Sequence, residues 1–479
     1  MPDKPFADEE MTFSGHLRRR DFLALLGAGA AGLLTQRLHA LDAGAGKPNI
    51  VLIVADDLGY ADIGCQGSKD IPTPHIDSLA RNGVRFTNGY VSCPVCSPTR
   101  AGLMTGRYQQ RFGHEFNPGS ATREQENIGL PVTEVTLADV LKRAGYATGL
   151  VGKWHLGMAP RFHPLKRGFD EFFGFLSGAH SYIDWKADGA NPVLRGDEPV
   201  DEPEYLTDAL TREAIAFVER HQKHPFFLYL SYNAVHAPMH ATQKYLDRFP
   251  NIADEKRRIH AAMLSAMDDG IGAVLAALRK AGVHENTLVF FISDNGGPTQ
   301  VNASDNSPLR AVKGTVYEGG IRVPFILQWP RRFAGGRTHD QPVISLDIFS
   351  TAVAAGGGRL PKGRAIDGVD LLPCVTGRKK TPHDILFWRK GEDRAARRGN
   401  WKLVKSGEQP AELYDLSKDI SESKDLAGEK PHVVDQLSRH LAAWESQLVP
   451  PLWRGQVRPG QRAPQRGARR GRATTTPPG

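Results

Sequence analysis

The sequence predicts an α/β protein whose strands are covered on both faces, on three observations. Residues 48–55, Pro-Asn-Ile-Val-Leu-Ile-Val-Ala, are apolar without polar alternation, as a strand buried between helical layers requires. Helical stretches with one apolar face alternate with further strands of this kind. The strands end in residues that carry chemistry: Asp56-Asp57 after the first, Lys153 and His155 after another, His236 and Asp294-Asn295 after two more. In open α/β sheets ligands bind beyond that end of the strands.

After the first strand, Pro74 to Asn82 fits a short amphipathic helix closed by Gly83. Val84 to Tyr90 returns as a strand, and Cys96 opens a helical stretch. Thr136 to Ala144 reads as a helix with Leu137, Val140 and Leu141 on one face, ended by Gly145; Tyr146 to Val151 is a strand leading into Gly152-Lys153-Trp154-His155. Residues 160–204, rich in Gly, Pro and aromatics, read as a long loop region of the kind that carries specificity. Tyr205 to Arg220 is a helix with Leu206, Leu210, Ile215 and Val218 at apolar positions. Phe226 to Tyr232 is a strand, Arg258 to Lys280 a long helix, and Thr287 to Ser293 a strand. Composition shifts around 361–377. Beyond it Ile385–Trp388, Trp401–Val404 and Glu412–Leu416 read as short strands and His432–Leu448 as a helix, a small antiparallel sheet plus helix. The expected organisation is a leader at 1–45, a main domain at 46–370, a C-terminal subdomain at 371–450 and a basic tail at 451–479.

The ends of the chain carry their own signals. Arg18-Arg19-Arg20-Asp21-Phe22-Leu23 resembles the twin-arginine export motif. An apolar run to Leu34 and small-residue cleavage sites at Leu38-His39-Ala40 or Ala43-Gly44-Ala45 follow. The run is too short to span a bilayer comfortably, so the expectation is a folded bacterial protein handed to the twin-arginine machinery, periplasmic or secreted, with no transmembrane segment once processed. Gly27-Ala28-Gly29-Ala30-Ala31-Gly32 fits a dinucleotide fingerprint but lacks the preceding strand. The net charge of +8 is no footprint of nucleic acid. The tail carries seven arginines and no acid from Arg454 onward, which leaves the core near neutrality. Such a tail cannot bury enough apolar surface to fold and reads as a solvated end or as an anchor for anionic polysaccharide. Four cysteines in 479 residues exclude a disulfide framework.

Asp56, Asp57, Asp294 and Asn295 offer only oxygen, which selects calcium or magnesium over zinc. Zinc lacks a second Cys pair at finger spacing. Arg100, Lys153 and Lys313 add fixed positive charge, while His155 and His236 titrate near neutrality. Together these suit an anionic substrate. Cys96 permits three readings: a buried thiol before a helix, half of a Cys93–Cys96 redox pair, or a modification site.

Cys96-Ser97-Pro98-Thr99-Arg100, followed by Thr105-Gly106-Arg107-Tyr108, resembles the signature of the formylglycine-dependent (type I) sulfatases. Asp56-Asp57, Gly152-Lys153-Trp154-His155-Leu156-Gly157, His236-Ala237-Pro238, Asp294-Asn295-Gly296, Lys313-Gly314 and Glu318-Gly319-Gly320 are similar to that family's blocks, in its order, between about Lys47 and Leu426. The resemblance implies an alkaline-phosphatase-like α/β fold and hydrolysis of sulfate esters by a nucleophile that can let sulfate go again: a serine ester of sulfate would be as stable as the substrate, whereas a hydrated aldehyde can release sulfate. It implies that Cys96 is converted by a formylglycine-generating enzyme to 3-oxoalanine. It implies that Asp56, Asp57, Asp294, Asn295 and position 96 hold one calcium, with magnesium the lesser alternative. Arg100, Lys153 and His155 would orient the diol, Asp294 would be the base, and His236 and Lys313 would stand at the leaving oxygen. The expected substrate is a sulfated carbohydrate or an aryl sulfate, with His114, Arg161, His180 and Trp185 at the pocket rim. The rivals are a phosphodiesterase or phosphonate monoester hydrolase of the same superfamily and an inactive binder of sulfated glycans.

Overall fold

The computed structural model describes residues 46–119, 127–186, 191–201 and 204–454. Residues 1–45, where a leader is expected, and the chain beyond 454 lie outside the described residues. From Lys47 on, the described chain forms one compact unit.

Its centre is a ten-stranded sheet. The strands are β1 (Asn49–Ala55), β2 (Val84–Phe86), β4 (Ala147–Lys153), β5 (Glu171–Phe175), β6 (Leu194–Arg195), β7 (Glu198–Pro199), β8 (Phe226–Ser231), β9 (Thr287–Ser293), β10 (Phe325–Gln328) and β11 (Arg337–His339), in the order β11-β2-β10-β9-β1-β8-β4-β5-β6-β7. β1 runs parallel to β8 and β9, and β4 parallel to β8 and β5, whereas β10 is antiparallel to β9, so the sheet is mixed. The uniform apolarity of β1 has the expected cause. Val51, Ile53 and Ala55 enter one core and Ile50, Leu52 and Val54 the other.

Helices cover both faces. α1 (Pro74–Arg81), α4 (Leu206–His221) and α5 (Glu255–Lys280) pack into the first core; α2 (Cys96–Thr105), α3 (Leu137–Arg143) and α6 (Leu346–Ala355) into the second. Thr136 and Asp139 form a capping box that starts α3, and the Asp254 carboxylate accepts from Arg257 N at 2.7 Å to start α5. α5 is long and apolar enough to cross a membrane, but 83% of its apolar window is buried within the fold.

Departures from the sequence reading have local causes. The region expected to be a loop contains β5, whose Glu-Phe-Phe-Gly-Phe run lies among Gly and Pro and becomes a strand through pairing with β4. The strand expected over 84–90 breaks at Thr87-Asn88. β2 stays in the main sheet while β3 (Gly89–Tyr90) pairs with β12 (Val343–Ile344). The C-terminal sheet has four strands, β13 (Ile385–Lys390), β14 (Asp393–Arg398), β15 (Trp401–Lys405) and β16 (Glu412–Asp415), all antiparallel, with α7 (Pro431–Glu445) packed on them. β14, Asp-Arg-Ala-Ala-Arg-Arg, carries too much charge to read as an inner strand, yet Ala395 and Ala396 are buried. Of the segment expected as a tail from 451, residues 451–454 are described and touch the main body, and the rest lies outside the described residues. Leu452 N donates to Gly113 O at 2.9 Å, and the Trp453 ring lies 4.7 Å from that of His114.

A buried ionic knot ties this sheet to the main body. Lys402 Nζ lies 2.8 Å from both Glu318 Oε1 and Glu422 Oε1, with all three side chains fully buried. Arg322 adds a contact to Glu318 at 3.2 Å. A second tie joins His383 Nε2 to the Asp347 carboxylate of α6 at 2.8 Å.

Candidate active site

The four central strands β9, β1, β8 and β4 end on one edge. There β1 delivers Asp56 and Asp57, β9 Asp294 and Asn295, β4 Lys153 with His155 just beyond, and the turn after β8 delivers His236. α2 begins at Cys96 at the same edge, and Arg100 follows one turn later on the same face. Lys313 comes from the loop after β9.

These groups interlock. Lys153 Nζ lies 2.5 Å from Asp56 Oδ2. Arg100 Nη2 lies 2.8 Å from Asp294 Oδ2 and 3.8 Å from Asp56 Oδ2, and its Nη1 donates to Ser231 Oγ at 2.5 Å. The Cys96 thiol faces Asp56 Oδ1 at 3.6 Å. Lys313 Nζ stands 2.5 Å from Asp57 Oδ1 and 3.0 Å from Cys96 Sγ. Asn295 Nδ2 donates to Asp57 Oδ1 at 2.7 Å, and His236 Nε2 lies 3.6 Å from Asp57 Oδ2.

Two site residues hold left-handed backbone without being glycine, Asp57 at φ 61° and His155 at φ 57°. Such conformations cost of order 1–3 kcal/mol and persist where the surroundings over-determine them. Gly178 is part of that surrounding: a Cβ added there would meet His155 Cε1 and Nε2 at 2.6 Å.

Burial and neighbouring charge set the proton inventory. Burial opposes the Asp56 carboxylate, but Lys153, His236, Arg100 and Lys313 outweigh it and hold its pKa far below the usual range. Burial, then the Asp56 charge, pushes Asp294 up to about 6. Burial, then Asp294, pushes the Cys96 thiol up to about 12. His155 is lowered well below its ordinary value by burial and by Lys153 and Arg100; His236 is lowered by burial. Lys313 is raised, since Asp57, Cys96 and Asp56 outweigh its burial.

The acid cluster could hold a metal ion. Ligand atoms of Asp56, Asp57, Cys96 and His236 all lie within 4.8 Å of one another. Asn295 Oδ1, beside them, is buried with no hydrogen-bond partner, an oxygen that a cation would satisfy. His236 therefore adjoins the acid cluster, although the sequence reading put it only at the leaving group. Asp294 instead turns one oxygen to Arg100.

The rim expected from sequence lies elsewhere. His114 is fully buried, its Nε2 2.6 Å from Ser97 Oγ, and burial lowers its pKa to about 3. Arg161 is exposed, bonded to Asn127 and stacked on Phe162. His180 is buried, its Nδ1 2.7 Å from the Ser181 carbonyl. Trp185 packs in the core against Phe173. None of the four lines the cavity over the site. That cavity, about 680 Å³, has His236, Lys313, Phe116, Asn117, Gln300 and Lys390 in its wall. Of the newcomers, Asn117 has a mechanical role, since its Oδ1 accepts from Ser97 N at 3.0 Å beside Cys96. In sequence nothing separates Lys390 or Gln300 from a solvated side chain. The four cysteines are unpaired.

Comparison with known proteins agrees with this geometry. The family model described as Sulfatase matches residues 48–358, and one described as N-sulphoglucosamine sulphohydrolase, C-terminal, matches 312–447. The chain is 37% identical to N-acetylgalactosamine-6-sulfatase of Sus scrofa over 378 residues, covering 74% of this chain and 71% of that one. It is 34% identical to human (Homo sapiens) arylsulfatase A, covering 89% and 91% respectively. Among solved structures, Ps i-CgsB in complex with k-i-k-neocarrahexaose superposes with a TM-score of 0.81 at 39% identity, covering 85% of this chain and 95% of that one. With its strand-end acids, its Cys96 helix and its cationic cavity in one place, the chain belongs to the sulfatase family, enzymes that hydrolyse sulfate esters.

Proposed function

We propose that this enzyme removes sulfate from a sulfated carbohydrate through a formylglycine made from Cys96, with calcium held by Asp56, Asp57, Asp294 and Asn295. The observation that carries the reading is the place of Cys96: first residue of α2, 3.6 Å from Asp56 and 3.0 Å from Lys313, beneath a cavity lined by cations. A thiol pushed up to about 12 stays protonated near neutrality and is a poor nucleophile, so the chemistry calls for another form of this residue. Hydrated formylglycine supplies two hydroxyls on one carbon, one to attack sulfur and one to expel sulfate. The cation, when bound, polarises the sulfate oxygens and favours an ionised hydroxyl; magnesium is the alternative ion.

The protein's own groups do the rest. Arg100 is fixed by Asp294 and Ser231 and sets positive charge behind position 96. Lys153 does the same from the side of Asp56. Asp294, at about 6, is basic enough to take a proton from the attacking hydroxyl. His155, kept neutral by burial and by two cations, accepts the proton of the second hydroxyl. Lys313 retains its proton and faces the cavity, so it can protonate the departing oxygen, with His236 beside it in the cavity wall. The arginine run at 18–20 and the apolar stretch after it support export to the periplasm or beyond.

The test is co-expression with a formylglycine-generating enzyme, mass spectrometry of the peptide around Cys96, and turnover of 4-nitrophenyl sulfate against 4-nitrophenyl phosphate with and without chelator. The expected result is an aldehyde at 96 and calcium-dependent release from the sulfate ester. Full turnover with an intact thiol, or a preference for phosphate, would overturn the proposal.

A further inference from the structure

The cavity above Cys96 is larger than one sulfate ester needs, and its charge is one-sided. Its volume of about 680 Å³ falls in the usual range for small-molecule sites, roughly 300–1,000 Å³. Among the described residues its wall contains no carboxylate, but it contains Lys313, Lys390 and His236. Lys313 is already matched by Asp57. Lys390 is not: among the described residues its ammonium pairs with no carboxylate, and its hydrogen bond goes to the carbonyl of Gly314, the residue after Lys313, at 2.8 Å. That bond uses one of three donors.

The backbone that carries Lys390 is bolted in place. Lys390 ends β13, and Gly391 opens the hairpin into β14. The Glu115 carboxylate, 1% exposed, accepts from Gly391 N at 2.8 Å and pairs with Arg389 Nη2 at 2.8 Å. Glu115 thereby fixes the residues on both sides of Lys390. Phe116, the residue after this anchor, also lines the cavity, and its ring edge lies within 3.5 Å of a Cβ built on Gly391. An anchored ammonium without a carboxylate partner, in the wall of a cavity that also offers apolar surface, suits a charge-assisted hydrogen bond to an anionic group of a ligand.

We infer that Lys390 is a specificity-determining residue that binds a second anionic group, sulfate or carboxylate, on the saccharide whose sulfate ester lies at position 96. This rests on the function proposed above. It narrows the substrate class to saccharides with at least two negative groups.

The test reads an affinity ratio. Calcium-loaded full-length protein with its unconverted thiol, which spares the ester, is titrated calorimetrically with galactose 6-sulfate, with a galactose disulfate, and with a disaccharide joining a uronate to a 6-sulfated N-acetylgalactosamine. The expected result is that one of the two dianions binds about tenfold or more tightly than the monoanion, and which one does so identifies the second group. Lys390→Gln should cut that advantage about tenfold, and Lys390→Arg should keep most of it. No dianion advantage, or one that survives Lys390→Gln, would overturn the inference. Turnover of 4-nitrophenyl sulfate by matured enzyme is followed in parallel. Its absence would refute the catalytic reading, whereas normal turnover with an unchanged ratio would refute only the role of Lys390.

Discussion

Lys313 Nζ lies 3.0 Å from Cys96 Sγ while also lying 2.5 Å from Asp57 Oδ1. One ammonium thus bridges Cys96 and the acid cluster, on the side that faces the cavity.

Lys313→Ala should lower kcat for a sulfate ester with a poor leaving group by about 10²–10⁴-fold, the usual worth of a positioned general acid. A nitrophenyl leaving group needs less protonation and should lose less. Lys313→Arg should not restore the rate, since a guanidinium does not give up its proton. Equal losses on both esters would assign Lys313 to binding alone.

Asp294→Ala should lose both calcium and rate. Equilibrium dialysis with labelled calcium and single-turnover kinetics check the two separately. A variant with full occupancy and full rate would contradict the assignment.

Gly178→Ala should disturb His155 more than the fold. The added methyl would meet the imidazole at 2.6 Å, so the ring must move. The expected outcome is a fall in kcat with little change in Tm; an unchanged kcat would show that the ring position is not critical.

His383 gives a pH signature. Burial opposes its charge, but Asp347 at 2.8 Å outweighs this and raises its pKa above the unfolded value of about 6.5. The stabilisation is therefore fully present below about pH 6.5 and is lost as pH rises through the folded pKa. Urea unfolding of wild type and His383→Gln should show the largest gap near pH 6 and a shrinking one above pH 7. A gap that is constant or growing up to pH 9 would refute this.

Lys402→Met should be among the most destabilising single changes. It leaves Glu318 and Glu422 buried without their shared cation, and breaking such a buried pair costs about 3–5 kcal/mol. Denaturant titration at constant m-value measures it. Adding Glu422→Gln should recover part of the loss.

The centre of the molecule was legible because its physics is local. Strands such as Asn49–Ala55 and Thr287–Ser293 are uniformly apolar, and the acids follow each one directly. Thr136 starts its helix with a capping box and Gly145 follows its end, ordinary start and stop signals. The edges were not legible. Glu171–Phe175 becomes a strand only by pairing with β4, and the charged run Asp393–Arg398 becomes an inner strand only between two neighbours. The cavity wall was hidden for the same reason. His114 and Trp185 look like rim residues until Ser97 and Phe173 are seen to bury them. Lys390 meets the Lys313 loop across 76 residues of chain, a contact no local pattern encodes.

Glu115 has one further consequence. By clamping Arg389 and Gly391 it holds the β13–β14 ribbon so that Lys390 reaches the Gly314 carbonyl, which couples that hairpin to the loop carrying Lys313. Loosening the clamp should therefore be felt at the reacting centre as well as at the cavity wall.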